Sequence, residues 1–288
     1  MKEKKRNKKQ PFKGKWVIIT GGSKGIGKAT AKEIVKLGGN ACIVARNMDT
    51  LKEAAEEIKN LKVEESQNVE IISCDTTDMD KLKPLFAEFI EKNGVPDYLF
   101  NFVGITFPDY IEKLSLDNLR KHMDVNYYGQ LVPILIVLPY FMENKKGYIA
   151  NASSVAGYTG QMGYAAYTPT KFAITGLSEV LRHELKPYNI GVSCIFPSDT
   201  DTPGLRKELE TRPQELNIIS ESWGGLSTAE EIAEKYIKGV LKKKFNITPS
   251  FSSKFIRYFV RLFPRLVFKV ADGDLKKARK KLGKDYKY

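Results

Sequence analysis

From Lys15 onward, short apolar runs alternate with longer stretches in which apolar residues recur every three or four positions. WVIIT (16–20), ACIVA (41–45), VEIIS (69–73), YLFN (98–101), YIANAS (148–153) and GVSCIF (191–196) predict six buried strands. Continuous apolar runs, rather than strict alternation, are expected of strands covered by helices on both faces. Between them, Lys28–Leu37 and Leu51–Leu61 carry the helical period. Strands alternating with helices make βαβ units, so the expected fold class is α/β: a doubly wound, Rossmann-type parallel sheet. No internal repeat interrupts the pattern. Residues 15–250 are therefore read as one domain, preceded by a basic tail over 1–14 and followed by a basic amphipathic segment over 251–288.

Composition agrees with a packed domain. Of 288 residues, 42% are hydrophobic and 28% charged, which excludes a disordered or fibrous chain. The three cysteines, Cys42, Cys74 and Cys194, each sit in an apolar run, and His122 and His183 are far apart. A metal site is not expected, and the thiols fit a reducing compartment. The net charge of +13 is unevenly placed: about +7 over residues 1–15, about +12 over 241–288, and about −6 between them. A mildly acidic body with basic ends argues against a nucleic-acid partner. The lysine-rich start lacks the apolar stretch of a secretory signal, and no run of about 18 uncharged apolar residues appears.

The first strand runs straight into TGGSKGIG (Thr20–Gly27) and a helix, the context a phosphate-binding glycine loop requires. Gly21 permits the tight turn, Gly25 lets backbone approach a pyrophosphate, and Gly27 lets the helix pack closely, with Ser23, Lys24 and Ile26 completing the loop. The helix N-terminus then offers free N–H groups to the phosphates. Where the second strand ends, an acidic residue would accept the ribose hydroxyls of NAD; here Arg46 stands instead, with Lys24 facing the same region. Two cations favour a 2′-phosphate and hence NADPH/NADP+, the alternative being ordinary solvated side chains. Asp75, after the third strand, is placed to meet the adenine or to cap a helix.

Tyr167 and Lys171, in YTPTK, share one face of a helix expected to run to about Leu185. A tyrosine with a pKa of about 10 is a poor base at neutral pH, and a neighbouring ammonium favours its phenolate. Ser154, just after a strand, has a hydroxyl able to polarise a substrate carbonyl, and Asn126, on an earlier helix, is suited to anchoring a proton-conducting water.

With TGGSKGIG, NFVG (101–104), MDVN (123–126), NASS (151–154), YTPTK (167–171) and PSDTDT (197–202) in this order, the chain resembles the short-chain dehydrogenase/reductase family over about Lys15–Lys244. The resemblance implies a catalytic set of Asn126, Ser154, Tyr167 and Lys171. Tyr167 would be proton donor and acceptor, Ser154 the carbonyl holder, Lys171 the group that tunes the tyrosine and binds ribose, and Asn126 the anchor of the relay water. It implies further cofactor contacts at Asn101, Gly104, Pro197, Thr200 and Thr202, the last at the nicotinamide end. Phe102-Val103 and Ser198 depart from the family's Asn-Ala and Pro-Gly patterns and imply altered packing beside the cofactor. KPYNIGVSCIFPSDTDTPGL (186–205) is similar to a subgroup that reduces the 3-keto group of a long-chain sphingoid base with NADPH at a membrane surface. The implied partner is a long-chain keto lipid, with a steroid, retinoid or 3-oxoacyl carbonyl as alternatives, and a membrane-docked NADP-binding scaffold as the non-enzymatic one. A homodimer or homotetramer is also in keeping with the family.

FSSKFIRYFVRLFPRLVFKVA (251–271) bears on the substrate independently. Lys254, Arg257, Arg261, Arg265 and Lys269 make one basic stripe if the segment is helical, and most other positions are large and apolar. Such a segment suits an anionic lipid interface at the cytosolic face of a membrane, and its charges argue against spanning one. The alternative is a helix packed on the domain or on a second copy. Pro264 is expected to break it.

Overall fold

The computed structural model describes residues 10–223 and 226–284. The chain passes through β1 (Trp16–Thr20), α1 (Gly25–Lys36), β2 (Asn40–Ala45), α2 (Met48–Lys59), β3 (Val69–Ser73), α3 (Met79–Asn93) and β4 (Tyr98–Asn101). Next, α4 (Leu116–Met123) continues through a π turn (Asp124–Tyr128) into α5 (Gly129–Glu143), followed by β5 (Gly147–Ala152), α6 (Thr168–Glu184) and β6 (Ile190–Ile195). The remainder comprises β7 (Thr200–Asp201), α7 (Pro203–Thr211), α8 (Gln214–Trp223), β8 (Ser227–Thr228), α9 (Ala229–Leu241), β9 (Asn246–Ile247), α10 (Phe251–Leu262) and α11 (Pro264–Lys281).

Seven strands form one sheet in the order β3-β2-β1-β4-β5-β6-β9, and every pairing is parallel. All six expected strands are present, each end within one residue of its apolar run. Because side chains alternate across a strand, neighbouring residues feed opposite layers. Ile19, Ile43, Phe100 and Ala150 pack with residues of α1, α2 and α9 on one face. Ile18, Cys42, Leu99 and Ile149 pack with residues of α3, α5 and α6 on the other. The strand order reverses direction between β1 and β4, so their carboxyl ends diverge into a crevice.

Three features extend or correct the sequence reading. First, β7, β8 and β9 are two residues long, too short for any periodicity to announce them. Second, the N-terminal tail ends before residue 14. Phe12 is fully buried, its ring lies 5.2 Å from that of Tyr98, and its N–H bonds to the Leu37 carbonyl at 3.2 Å. Residues 1–9 of that tail lie outside the described part. Third, the helix Leu116–Glu143 is long and apolar enough to cross a membrane, and it is the one such helix among the described residues. It is a core element here: Ile134, Ile136, Val137 and Phe141 are buried against the sheet.

Pro264 separates α10 from α11, as expected of a ring that cannot donate to the preceding turn. The basic stripe is not uniformly exposed. Arg257 is only 7% exposed and its guanidinium lies 4.6 Å from the Phe196 ring, turned into the domain. Lys254, Arg261, Arg265 and Lys269 face outward. All three cysteines are buried and unpaired, and no metal-binding group of His, Cys, Asp or Glu occurs among the described residues.

Truncating a fully buried phenylalanine costs about 3–5 kcal/mol. Phe12→Ala should lower the unfolding free energy in urea by that order; a change within about 0.5 kcal/mol would return Phe12 to a solvated tail.

Candidate active site

The crevice at the carboxyl ends of β1 and β4 opens into a cleft of about 1180 Å3. Its floor is the glycine loop. Gly21 adopts φ +69°, and a Cβ there would stand 2.9 Å from the Phe102 carbonyl carbon, so a side chain is excluded on both counts. A Cβ on Gly27 would lie 2.3 Å from the Gly21 carbonyl oxygen, which explains how α1 packs so close to β1. No side chain caps the N-terminus of α1, which leaves its first N–H groups available to an anion in the cleft. Ser23, Lys24, Gly25, Ile26 and Gly27 all line it. These glycines and donors fit the pyrophosphate of a nicotinamide dinucleotide.

At the end of β2, Arg46 lines the cleft with Asp75 after β3, their nearest charged atoms 3.6 Å apart. Asp75 also accepts from the Thr77 N–H and hydroxyl, which fixes its carboxylate at the rim. Asn47 and Thr50, absent from the sequence reading, line the same rim, where Asn47 caps α2. Gly104, Pro197, Thr200 and Thr202 line the opposite stretch of the cleft. Thr202 caps α7 and reaches across to the loop, its Cγ2 standing 3.1 Å from where a Cβ of Gly25 would be.

Asn101 does not belong with these residues. It is fully buried, accepts from the Thr20 hydroxyl at 3.0 Å and donates to the Asn151 Oδ1 at 3.0 Å. Its side chain is spent inside the sheet as a brace.

Tyr167 and Lys171 sit on the first turn of α6, where the four-residue spacing brings the Lys171 ammonium 5.4 Å from the Tyr167 ring. Ser154 follows β5, faces the cleft beside them and hydrogen-bonds with the Tyr167 phenol. Lys171 is buried and donates to the Ala152 carbonyl at 2.9 Å. Burial lowers its pKa to about 8, so it is only partly neutral at physiological pH. Burial also holds the Tyr167 phenol above its ordinary value, with the Ser154 hydrogen bond acting the other way and the carboxylates of Glu208 and Asp199 adding to the rise. The expected lowering by Lys171 is therefore not reached in this arrangement: the ammonium faces the ring and bonds to a carbonyl, not to the phenol oxygen. Ser154 is the group that favours the phenolate here.

Asn126 stands beside Lys171, its Oδ1 3.4 Å and the Lys171 ammonium 3.5 Å from where a Cβ of Gly104 would be. It is fully buried in the π turn behind Gly104, its Oδ1 accepting from the Ile105 N–H at 2.6 Å. Its Nδ2 donates to the Ile105 carbonyl and to the Thr170 hydroxyl, both at 3.0 Å. The amide thus ties the π turn to the start of α6, three residues from Tyr167.

The far end of the cleft holds residues that no motif announced. Tyr164, Asp199, Glu208, Arg212 and Leu216 line it, as do Phe255, Ile256, Phe259, Val267 and Leu275 of the C-terminal helices. The C-terminal segment is thus a wall of the cleft as well as a surface.

A sequence profile described as short chain dehydrogenase matches residues 15–213. The chain belongs to the short chain dehydrogenase family. It is an oxidoreductase, and the family's fold takes a nicotinamide cofactor in the cleft just described. The chain is 39% identical over 233 residues to a 3-dehydrosphinganine reductase of Danio rerio, covering 81% of this chain and 70% of that protein. It is 34% identical over 250 residues to a 3-ketodihydrosphingosine reductase of Dictyostelium discoideum, covering 82% and 75%. The crystal structure of levodione reductase superposes with a TM-score of 0.75 at 23% identity, over 82% of this chain and 95% of that one, a likeness of fold.

Positioned acid–base groups contribute about 10²- to 10⁴-fold to a rate. Tyr167→Phe should lower turnover by at least about 100-fold while cofactor affinity stays within about threefold. Turnover close to wild type would remove Tyr167 from the chemistry.

Proposed function

We propose that the protein reduces the 3-keto group of 3-ketosphinganine to the alcohol, with NADPH as reductant, at the cytosolic surface of an anionic membrane. The observation that carries the substrate is the agreement with relatives named for that reaction, which runs over four-fifths of the chain. The shape of the cleft supports it: beyond Tyr167 it continues between the apolar side chains of α10 and α11, as an alkyl chain requires.

Bound nicotinamide supplies a hydride to the carbonyl carbon. Ser154 donates a hydrogen bond to the carbonyl oxygen, and Tyr167 gives that oxygen its proton as negative charge develops. A phenol held above its usual pKa is a competent donor in this direction. Lys171, its ammonium 5.4 Å from the phenol ring, would meet the nicotinamide ribose, while the Ser154 hydroxyl favours the phenolate left behind. Asn126 keeps the turn carrying Tyr167 in register through Thr170. For the cofactor, Arg46 and Lys24 line the cleft and would supply positive charge to a 2′-phosphate, and no acidic residue follows β2 directly to repel it.

The membrane surface is supported by the outer side of the C-terminal helices. Tyr258 (60% exposed), Leu262 (68%) and Phe268 (67%), with Phe255, Phe263 and Leu266, form an apolar patch beside the cleft, and Lys254, Arg261, Arg265 and Lys269 are exposed among them. Large apolar side chains interspersed with cations fit an anionic lipid interface, from which an amphiphilic ketone enters the cleft without crossing water.

The direct test is NADPH oxidation with 3-ketosphinganine in mixed micelles; turnover supports the reading, and cofactor binding without turnover overturns the substrate. Losing a charge-assisted contact costs about 1.5–3 kcal/mol, so Arg46→Asp should cut the preference for NADPH over NADH by about 10- to 100-fold. An unchanged preference would dismiss Arg46 as a phosphate contact. Replacing Leu262 and Phe268 together by Glu should reduce binding to phosphatidylserine-containing vesicles at least about tenfold, and undiminished binding would place the membrane contact elsewhere.

A further inference from the structure

One wall of the cleft carries a buried carboxylate and a buried guanidinium, Glu208 and Arg212, that hydride transfer does not require. Glu208, on α7, is nine-tenths buried and accepts a hydrogen bond from the Tyr164 hydroxyl. The Tyr164 ring is 5.9 Å from the Tyr167 ring, so this carboxylate stands next to the reacting centre. Arg212, 8% exposed, pairs with Asp199 at 3.2 Å, and Asp199 also accepts from the Ser220 hydroxyl at 2.6 Å. All five side chains line the cleft.

The charges do not balance. Arg212 pairs with Asp199 and acts on Glu208 only from beyond contact, so one guanidinium faces two carboxylates, and among the described residues no cation lies within ion-pair distance of Glu208. The remaining cation of this wall, Lys207, is exposed over the Phe107 ring, 5.3 Å away. A buried carboxylate without a counter-charge in direct contact is costly, and burial raises the pKa of Glu208 against the opposing effects of the Tyr164 hydrogen bond and the more distant Arg212. Arg212 adds an independent sign of a missing ligand: its buried Nε–H has no acceptor. A fold rarely retains both an unneutralised carboxylate and an unused guanidinium donor in one cleft wall unless a ligand completes them.

Resting on the reading that the substrate is 3-ketosphinganine, we propose that Glu208 is the specificity residue for that molecule: it receives the ammonium group on the carbon next to the reacting ketone. The ligand would supply the missing positive charge, and its terminal hydroxyl oxygen an acceptor for Arg212 Nε. A ketone without the amine would leave Glu208 buried and unpaired, so the site discriminates by penalising the wrong head group as much as by binding the right one.

The test compares kcat/KM for 3-ketosphinganine and for 1-hydroxyoctadecan-3-one, which keeps the ketone, hydroxyl and chain and lacks the amine. Wild-type protein should favour the amino ketone by about 10- to 100-fold. Glu208→Gln, which keeps the hydrogen bond to Tyr164 and removes the charge, should reduce that ratio to within about threefold of unity. A wild-type ratio near one, or a ratio that survives Glu208→Gln, overturns the ammonium site while leaving the reaction standing. No turnover of the amino ketone by wild-type protein overturns the functional reading beneath it. If Glu208→Gln fails to bind cofactor, Glu208→Asp, which withdraws the charge by one methylene, should lower the same ratio by at least about threefold, and an unchanged ratio again overturns the site.

Discussion

The catalytic face depends on a chain of hydrogen bonds buried within the sheet. The Thr20 hydroxyl on β1 donates to Asn101 on β4, Asn101 donates to Asn151 on β5, and Asn151 donates to Ser178 on α6, each at 3.0 Å. Ser178 closes the series on the Ile174 carbonyl at 2.7 Å. All four side chains are fully buried, so each needs its partner, and every donor points the same way, so each bond polarises the next. The helix carrying Tyr167 and Lys171 is thereby pinned to the three central strands, and the glycine loop begins one residue after Thr20. Hydrophobic packing alone leaves a helix free to slide by fractions of an ångström; this polar series fixes its register.

Two further sets of bonds finish the same task at the other end of the helix. Lys171 donates to Ala152, and the Ser153 hydroxyl donates to the Lys171 carbonyl at 2.9 Å. Asn126 ties Thr170 to the backbone of Ile105, and through it the π turn to the start of α6. The proton donor therefore sits on a turn held from both sides, with Ser154 fixed two residues beyond β5. Preorganisation of this kind lets a phenol with a raised pKa act as an acid without the active site rearranging as charge develops.

The strands, the glycine loop and the Tyr167/Lys171/Ser154 trio were legible in the sequence because each leaves a local mark: an apolar run, glycines at turn positions, or a four-residue spacing on one helix face. What was not legible depends on pairings between distant positions. Asn101 and Asn126 lie in site motifs, but a motif does not show that the amide of Asn101 is spent on Asn151, nor that the amide of Asn126 holds Ile105 and Thr170. Tyr164 and Glu208 are 44 positions apart and meet only because α7 folds back over the loop before α6. Arg257 fits the basic stripe by spacing, yet the ring of Phe196, brought beneath it by β6, turns it inward. Phe12 is one apolar residue in a lysine-rich stretch, without enough period to mark it as core. The C-terminal helices combine both kinds of evidence: their amphipathic pattern was visible, whereas their inner side chains closing the cleft was not.

The claim that buried register controls chemistry is tested most directly at Asn151, which touches neither the cleft nor the cofactor. Asn151→Leu removes the bonds to Asn101 and Ser178 at nearly constant volume, and the readout is kcat for ketone reduction beside the cofactor dissociation constant. A misplacement of the reacting groups by about 1 Å costs about 100-fold in rate, so the account predicts a folded protein that binds cofactor within about threefold of wild type and loses kcat by about 10- to 100-fold. A folded Asn151→Leu protein with wild-type kcat would contradict it.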